Sequence, residues 1–480
     1  MKQIKINVNK ICKNSIIIVY ILLFSYLLLQ HFIIKDSPYR DTVIFSFSLA
    51  INVLLITKLF REKWNKYSND LNIRNVLIGL VLLCILVKGY FIFRYRITPL
   101  SDYKTFYDTA IQLKDGWRID NDYISIFPHI MGYSTFLSFI FKLFGSNTLI
   151  PPIVNVIIST VIMILIFKIC HKLISDIGAI IASLIFIFMP SQTIYNIFAL
   201  SEPLYTLLVV LLVWLIVQLK DNMHLGIKNS QNILYLVFIS GSLVFINYIR
   251  PIGAILIIAL FIWLIFLCEK QDLDLKKRII YLIVIVGIYI VGGKITDNIN
   301  NSRLGNDVST LPGHTICVGL NEQAYGAWNM EDSTALMDYF NEYEKDVKKT
   351  HQAMMERAVE RIKNGIDYGR LFKWKLYNLW GADDACVGYA TGIWNNEILL
   401  SKMCNIYYYT IVFISILGAL KLVKEKRNSI LVFLILITLG ITAGHMIVEV
   451  ARRYHYVALI TLIILAAYGL TGVRENTEGE

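Results

Sequence analysis

The segment FPHIMGYSTFLSFIFKLFG, residues 127–145, decides how this chain crosses a membrane. It is one of about thirteen apolar segments, each close to the roughly 20 residues that span a hydrocarbon core. The segments are 15–34, 42–60, 75–93, 127–144, 149–168, 177–190, 201–219, 232–249, 251–268, 279–296, 404–422, 429–447 and 454–472. Pro128 and His129 open the segment at 127–144 and Lys142 lies near its end, a pattern typical of a helix on the membrane surface.

The basic loops decide between a crossing and a surface helix at 127–144. Cytoplasmic loops carry the excess of Lys and Arg, and the loop at 58–74 is basic. If 127–144 crossed, four later basic loops would lie outside, whereas a surface helix places all of them inside. Those loops are 168–172, 220–228, 270–278 and 421–427. We therefore predict about twelve crossings, with both chain termini cytoplasmic.

The composition agrees with a membrane protein. Hydrophobic residues make up 56% of the 480 residues and charged residues 17%, well below the roughly one quarter that is usual in soluble proteins. The net charge of +11 is explained by lysines clustered in short cytoplasmic loops. We expect an all-α polytopic protein of the cell membrane that contacts lipids and binds no nucleic acid.

The predicted organisation has four parts. Residues 1–74 hold two N-terminal transmembrane helices, and residues 75–296 form a transmembrane core with an outer loop at 94–148. Residues 297–403 form a helical extracytoplasmic cap, and residues 404–480 hold the last transmembrane helices. Because the crossings alternate, the outer loop, the cap and the turn at 445–456 all lie on the outer face.

The cap has local signals of helix. Met354, Ala358 and Ile362 recur every four residues, which predicts the buried stripe of an amphipathic helix. Asn364 stands where that helix stops, and Asp367 is a suitable cap for a following helix. We expect this cap to pack on the membrane domain.

Cysteines and histidines show no metal-ligand spacing. Only Cys317 and Cys386 lie well inside the polar segment, and the sequence leaves open whether they form a disulfide. His129, His445 and His455 are not arranged as a recognisable metal site. We therefore assign no metal ligands and expect no cofactor, and the sequence leaves metal dependence open.

The stretch PLSDYKTFYDTAIQLKDG, residues 99–116, places Asp102 where the chain leaves the membrane. Asp102 could cap the helix that follows, because an acidic or hydroxyl side chain suits that position. It could equally belong to an active site at the membrane surface. Both explanations remain open on these residues alone.

Five motifs on the outer face give the chain a family resemblance. They are SDYKTFYDTA, a Pro-led surface helix ending in LFG, SEPLYTLL, YIRPIG and a late E-x-x-R-R-Y element. Because these motifs occur in this order and all on the outer face, the chain resembles the glycosyltransferase C (GT-C) superfamily. It is most similar to family-39-like enzymes, which include protein O-mannosyltransferases and lipid A aminoarabinose transferases. The resemblance covers residues 75–295 and 440–472; Ser101 and Asp102 stand where many relatives have an acidic pair.

The resemblance implies an activity and a base. It implies a GT-C-like fold, and transfer of a sugar from a polyprenyl-phosphate carrier to a glycan, lipid or protein acceptor on the outer face, with inversion. A carboxylate near the acceptor hydroxyl is needed as general base. Asp102 is the candidate base, and Asp108, under two helical turns later, is the reserve candidate.

Arginines at the outer helix ends are candidates for the donor phosphate, because a guanidinium donates two hydrogen bonds at once. They are Arg94, Arg96, Arg250, Arg452 and Arg453. Snorkelling of Arg to the interface is the alternative explanation. Glu202 either belongs to the substrate site, as its position in the family implies, or serves only to start a helix. Glu449 stands at helical spacing from Arg452, which favours a simple ion pair.

Two other classes of function compete with the enzyme. A transporter or lipid flippase would explain the many helices, but transporters often show repeated halves and charges at mid-membrane. This chain shows no repeat, and its chargeable residues cluster at the outer ends. A scaffold that binds a partner through the cap is the third alternative. The pattern favours the glycosyltransferase.

Overall fold

The computed structural model describes residues 2–67, 72–226, 229–268, 274–305, 312–425 and 428–472. Within these residues the regular structure is entirely helical. Parts of the predicted loops at 58–74, 220–228, 270–278 and 421–427 lie outside them, as do the first residue and the last eight. The helices are α1 Lys2–Ile33, α2 Arg40–Tyr67, α3 Ile73–Arg94, α4 Ser101–Asp115, α5 Asp122–Ile126, α6 Ile130–Phe144, α7 Ile150–Leu173, α8 Asp176–Phe188, α9 Pro190–Ile194, α10 Glu202–Asn222, α11 Ser230–Ile249, α12 Gly253–Ile262, α13 Leu275–Leu304, α14 Gly313–Gly319, α15 Met330–Glu342, α16 Val347–Lys363, α17 Tyr368–Trp380, α18 Ala385–Gly388, α19 Glu397–Lys424, α20 Ser429–Ile447 and α21 Leu459–Thr471.

The described residues contain 10 helices long and apolar enough to cross a membrane. The pair Asp176–Phe188 and Pro190–Ile197, bent by 61° where Pro190 interrupts the helix, makes eleven when it is counted as one span. The predicted crossing at 251–268 is shorter than these: α12 and the π-helical turn at Trp263–Leu267 that follows it together cover only Gly253–Leu267. The chain is therefore an all-α polytopic membrane protein with somewhat fewer full-length spans than the predicted twelve.

Contacts between helix ends show that the short segment still runs from one end of the bundle to the other. At its start, Arg250 contacts Glu202. At its end, Trp263 Nε1 donates to Ser429 Oγ at 3.3 Å, and Arg278 donates to the carbonyl of Cys268 at 2.7 Å.

One end of the bundle, the basic end, collects the predicted cytoplasmic loops. Lys13 donates to the carbonyl of Glu425, and Lys421 donates to the carbonyl of Gly469. Lys172 pairs with Asp221 at the same end. The opposite end, the site end, carries α4–α6, the cap and the turn before α21. This division of the helix ends matches the alternation predicted from the charges.

The segment at 127–144 lies at the site end as a short helix, α6. Tyr133, Leu137 and Phe141 are buried on one face, while Phe139 and Leu143 are exposed on the other. The buried face packs on α4: Ser134 Oγ donates to the carbonyl of Phe106 at 3.1 Å. Gly132 allows a close approach to α11, because a Cβ there would lie 2.2 Å from the carbonyl oxygen of Tyr248. The surface helix therefore anchors the outer loop to the bundle.

The cap comprises α14–α18, and residues of α14–α17 form a small apolar core together with Ile126 of α5. Met354 and Ala358 are buried in it as predicted. Ile362 is 48% exposed, so its place in the stripe was wrongly predicted. Its neighbour Arg361 turns inward instead, to the buried carboxylate of Asp332 at 2.6 Å. The apolar stripe therefore ends at Ala358, one turn earlier than predicted, and Arg361 faces the cap interior to pair with Asp332.

The helix signals at the end of α16 are confirmed. Helix α16 ends at Lys363, one residue before Asn364. Asp367 caps α17 by accepting a hydrogen bond from the amide of Arg370 at 2.9 Å. Cys317 and Cys386 are free thiols in separate apolar clusters, so they form no disulfide in this structure.

Candidate active site

Asp102 stands in the first turn of α4 and does not cap it. The N-cap position belongs to Leu100, which makes no side-chain capping bond. The carboxylate of Asp102 accepts a hydrogen bond from Arg453 Nη1 at 2.5 Å instead. It is 39% exposed, whereas Arg453 is 13% exposed. The capping explanation is therefore wrong. Asp102 is instead the more exposed partner of an ion pair with the largely buried side chain of Arg453.

Glu202 and Arg250 form the second ion pair of the site. Arg250 Nη2 donates to Glu202 Oε1 at 2.7 Å, and its Nε donates to Ser201 Oγ at 3.0 Å. Arg453 Nε lies 3.9 Å from the same Glu202 oxygen. Asp102, Arg453, Glu202 and Arg250 thus alternate in charge, and we call them the ion-pair chain. Four distant parts of the sequence supply its two carboxylates and two arginines to one place.

One oxygen of the ion-pair chain has no partner. Glu202 is 2% exposed, and its Oε2 is buried without a hydrogen bond among the described residues. The Nε of Arg453 is buried and equally unsatisfied. Buried polar atoms without partners are uncommon in folded proteins. They mark this position as one where a polar ligand could complete the hydrogen bonding.

Aromatic rings and a third carboxylate surround Arg453. Its guanidinium lies 5.5 Å from the ring centroids of both Tyr389 and Tyr454. Tyr454 donates to Glu449 Oε1 at 3.2 Å. Burial raises the pKa of Glu449 above its ordinary value, which makes it a stronger base than a solvated carboxylate. Burial and the charges of Arg250 and Arg453 lower the pKa of His129 to about 3, so this ring is neutral at pH 7.

Arg452 faces away from the ion-pair chain. It donates to Asp384 Oδ1 at 2.9 Å and to the hydroxyl of Tyr39 at 3.0 Å. The predicted pair between Arg452 and Glu449 is therefore wrong. Residues 448–451 are extended and Arg452 begins a 3₁₀ turn, so the helical spacing assumed for that pair does not exist.

The structure places three other predicted residues outside the ion-pair chain. Asp108 pairs with Lys104 on the exposed face of α4, where the two side chains are 45% and 56% exposed. Arg94 and Arg96 are exposed near the end of α3, and Arg94 lies against the ring of Tyr95. Of the eight candidates, the chain of contacts unites Asp102, Glu202, Arg250 and Arg453.

A second buried network lies beside the site and was missed in the sequence. Asp383 accepts from Ser191 Oγ at 2.5 Å, and His455 Nε2 lies 3.0 Å from its other oxygen. His455 is stacked between Trp380 and Tyr408. Asp383 and His455 are 4% and 2% exposed, so this network fixes the turn after Arg453 and is closed to solvent. No local sequence pattern predicts this network, because Ser191, Asp383 and His455 lie far apart in sequence.

Known proteins give independent information about this chain. Residues 129–293 match the sequence model of the family described as dolichyl-phosphate-mannose-protein mannosyltransferase. Among solved structures, the chain is similar to the crystal structure of ArnT from Cupriavidus metallidurans bound to undecaprenyl phosphate, with 10% identity, 82% of this chain and 77% of that chain covered, and a TM-score of 0.36. A structural likeness of that size carries no argument. No curated protein matches the chain.

The family match runs from the start of α6 into α13. It includes Glu202 and Arg250 of the ion-pair chain, and the SEPLYTLL and YIRPIG motifs that contain them. The comparisons give the transporter alternative no support. Residues 129–293 of this chain are therefore similar to a family of dolichyl-phosphate-mannose-protein mannosyltransferases, in agreement with the resemblance to the GT-C superfamily found in the sequence.

Proposed function

We propose that this protein transfers a sugar from a polyprenyl-phosphate donor to an acceptor hydroxyl on the extracytoplasmic face of the membrane. The observation that carries the proposal is the ion-pair chain at the site end. Two arginines and a solvent-facing carboxylate meet there, on the end of the bundle opposite the basic loops. The acceptor is a glycan, a lipid or a protein.

Arg250 and Arg453 would hold the donor phosphate. When the sugar leaves, a phosphodiester becomes a phosphomonoester, so the phosphate gains negative charge. Guanidinium groups in a partly water-excluded site stabilise such developing charge. Arg250 and Arg453 are 15% and 13% exposed, which strengthens their electrostatic effect relative to a fully solvated pair. The unsatisfied Nε of Arg453 is one donor that the phosphate could engage.

Asp102 would act as the general base. The acceptor oxygen attacks the anomeric carbon of the sugar while its proton passes to the carboxylate of Asp102. The bond between the anomeric carbon and the phosphate oxygen breaks, and its electron pair leaves with the polyprenyl phosphate. A single displacement of this kind inverts the anomeric configuration. Glu202 would orient Arg250, since it holds that arginine at 2.7 Å.

The resting ion pairs give this mechanism an order of events. Arg453 already holds Asp102 at 2.5 Å, so a donor phosphate that binds Arg453 competes with the carboxylate. Donor binding would then weaken the hold on Asp102 and leave its oxygens available to the acceptor proton. The site therefore favours donor binding before acceptor attack.

The test is sugar transfer by the purified protein. Labelled polyprenyl-phosphate sugars are incubated with candidate glycan, lipid and protein acceptors, and the anomeric configuration of the product is determined. We expect transfer with inversion. Movement of the intact donor across a vesicle membrane without transfer would favour the flippase alternative. Neither transfer nor movement, with binding of a partner protein, would favour the scaffold.

A further inference from the structure

A short non-helical segment lies against the cap and leads to Arg453. Residues 448–451, which we call the strap, connect the end of α20 to the 3₁₀ turn that carries Arg453. The strap also carries Glu449. Two of its amides donate to the cap: Glu449 to the carbonyl of Thr315 at 2.8 Å and Val450 to that of Gly326 at 2.9 Å. The position of the strap is therefore set by the cap.

Lys375 of α17 lies at the junction between the strap and the cap and is fully buried. Its ammonium donates to three carbonyl oxygens: Gly319 at 2.7 Å, Met446 at 3.0 Å and Val448 at 2.8 Å. An ammonium has three N–H groups, so its donor capacity is fully used. Gly319 ends α14 and Met446 lies in the last turn of α20, where unpaired carbonyls favour a cation.

The sequence of the cap makes room for this lysine. Gly326 has φ of +70°, and a Cβ at that position would lie 2.8 Å from the Cδ and Cε atoms of Lys375. A Cβ at Gly319 would lie 2.5 Å from the carbonyl oxygen of Ile447. The segment VGLNEQAYG, residues 318–326, thus needs glycine at both ends to bring the cap against the strap.

We propose that Lys375 is a positioning residue that fixes the strap and, through it, places Arg453 and Glu449 in the site. Lys375 touches neither arginine nor carboxylate of the ion-pair chain by any described hydrogen bond. It acts by holding the backbone that precedes them. The alternative is a buried lysine that contributes only to the general stability of the fold.

Hydrogen exchange on the full-length protein separates these two roles. Lys375→Met keeps the length of the side chain and removes all three hydrogen bonds. We expect the amides of Glu449 and Val450 to lose protection by at least about tenfold. A hydrogen bond to a charged group shifts the equilibrium between the closed and the open state by roughly tenfold or more. Lys349→Met is the control, since Lys349 is a cap lysine that is 66% exposed. It should leave both amides unchanged.

A second variant keeps the proposal testable if Lys375→Met fails to fold. Gly326→Ala displaces the same lysine from the cap side. Because Val450 donates to the carbonyl of Gly326 itself, the amide of Glu449 is the measurement here, and we expect the same loss of protection at it. Unchanged protection of the strap in a folded variant would overturn the proposal. A uniform loss of protection through α7 and α10 in both variants would overturn it as well, since that outcome means a general role in stability.

The functional consequence rests on the proposed function and is measured separately. Binding of polyprenyl phosphate should weaken about tenfold in Lys375→Met. Combined with Arg453→Lys, it should weaken little further, because residues that act through one another are not additive. Additive losses would refute a route through Arg453. If the unaltered protein binds no polyprenyl phosphate, the proposed function fails, while the exchange result still decides the role of Lys375.

Discussion

Asp102→Asn tests the role of the ion pair between Asp102 and Arg453, because the proposed mechanism predicts opposite effects on binding and turnover. Asparagine cannot accept the acceptor proton, so turnover should fall by about 10²–10⁴-fold, the usual contribution of a general base. Donor affinity should rise, because the phosphate no longer competes with a carboxylate for Arg453. Helix α4 should be unaffected, since Asp102 makes no capping bond.

The size of the gain in affinity follows from the exposure of the pair. A hydrogen bond between charged groups contributes about 1.5–3 kcal/mol, and an exposed ion pair about 0–1 kcal/mol. Asp102 is 39% exposed and Arg453 13%, which places this pair between the two cases. A contribution near 1 kcal/mol corresponds to a roughly three- to tenfold tighter complex with polyprenyl phosphate.

Turnover is measured with labelled polyprenyl-phosphate sugar, affinity with the sugar-free lipid phosphate, and folding by thermal unfolding. Asp108→Asn is the matched control: the same change on the same helix, in an exposed pair with Lys104. It should alter neither quantity. Near-normal turnover in Asp102→Asn would refute its role as the base. A donor affinity that is unchanged or weaker would refute the competition for Arg453.

The adjacent arginines should separate in their effects: Arg453→Ala and Arg250→Ala should raise the donor KM about tenfold or more, whereas Arg452→Ala should lower thermal stability with little selective effect on donor KM. Equal effects of Arg452→Ala and Arg453→Ala on donor KM would contradict the geometry. In a background without the native cysteines, single cysteines in the cap should be labelled from outside, and those at 421–427 only from inside. Labelling at 421–427 from outside would contradict the predicted topology. Burial would raise the pKa of the Asp332 carboxyl, but hydrogen bonds from Arg361, Asn321 and Asn329 and the charge of Arg361 lower this pKa from 3.8 to about 2. The stabilising effect of Asp332 on the cap should therefore be complete above pH 4 and be lost as pH falls toward 2. Acid unfolding followed in the cap should lose that component in Asp332→Asn, and an unchanged acid transition would show that Asp332 contributes nothing.

Sidedness was the part of the site that the sequence could predict. The alternation of apolar segments and basic loops placed Asp102, Glu202, Arg250 and Arg453 at one end of the bundle, and the structure brings these four into contact. Topology brings them close together, since helix ends on the same side of a compact bundle are near one another.

The direction of each side chain could not be predicted in the same way. Arg452 and Arg453 are adjacent and chemically identical, and only the change from extended strap to 3₁₀ turn sends them to different partners. Lys375 and Asp383 were missed because their partners come from segments far away in sequence. The short crossing at Gly253–Leu267 was predicted as a full span because hydropathy does not report where a helix begins and ends within an apolar segment.

The turn from Glu449 to His455 also constrains how the protein can evolve. Within it, neighbouring side chains contact different carboxylates: Arg452 contacts Asp384, Arg453 contacts Asp102, and His455 contacts Asp383. Inserting or deleting a single residue would exchange these assignments, bringing Arg452 toward Asp102 and His455 out of its aromatic stack. We therefore expect homologous chains to accept changes of residue type in the strap more readily than any change in its length.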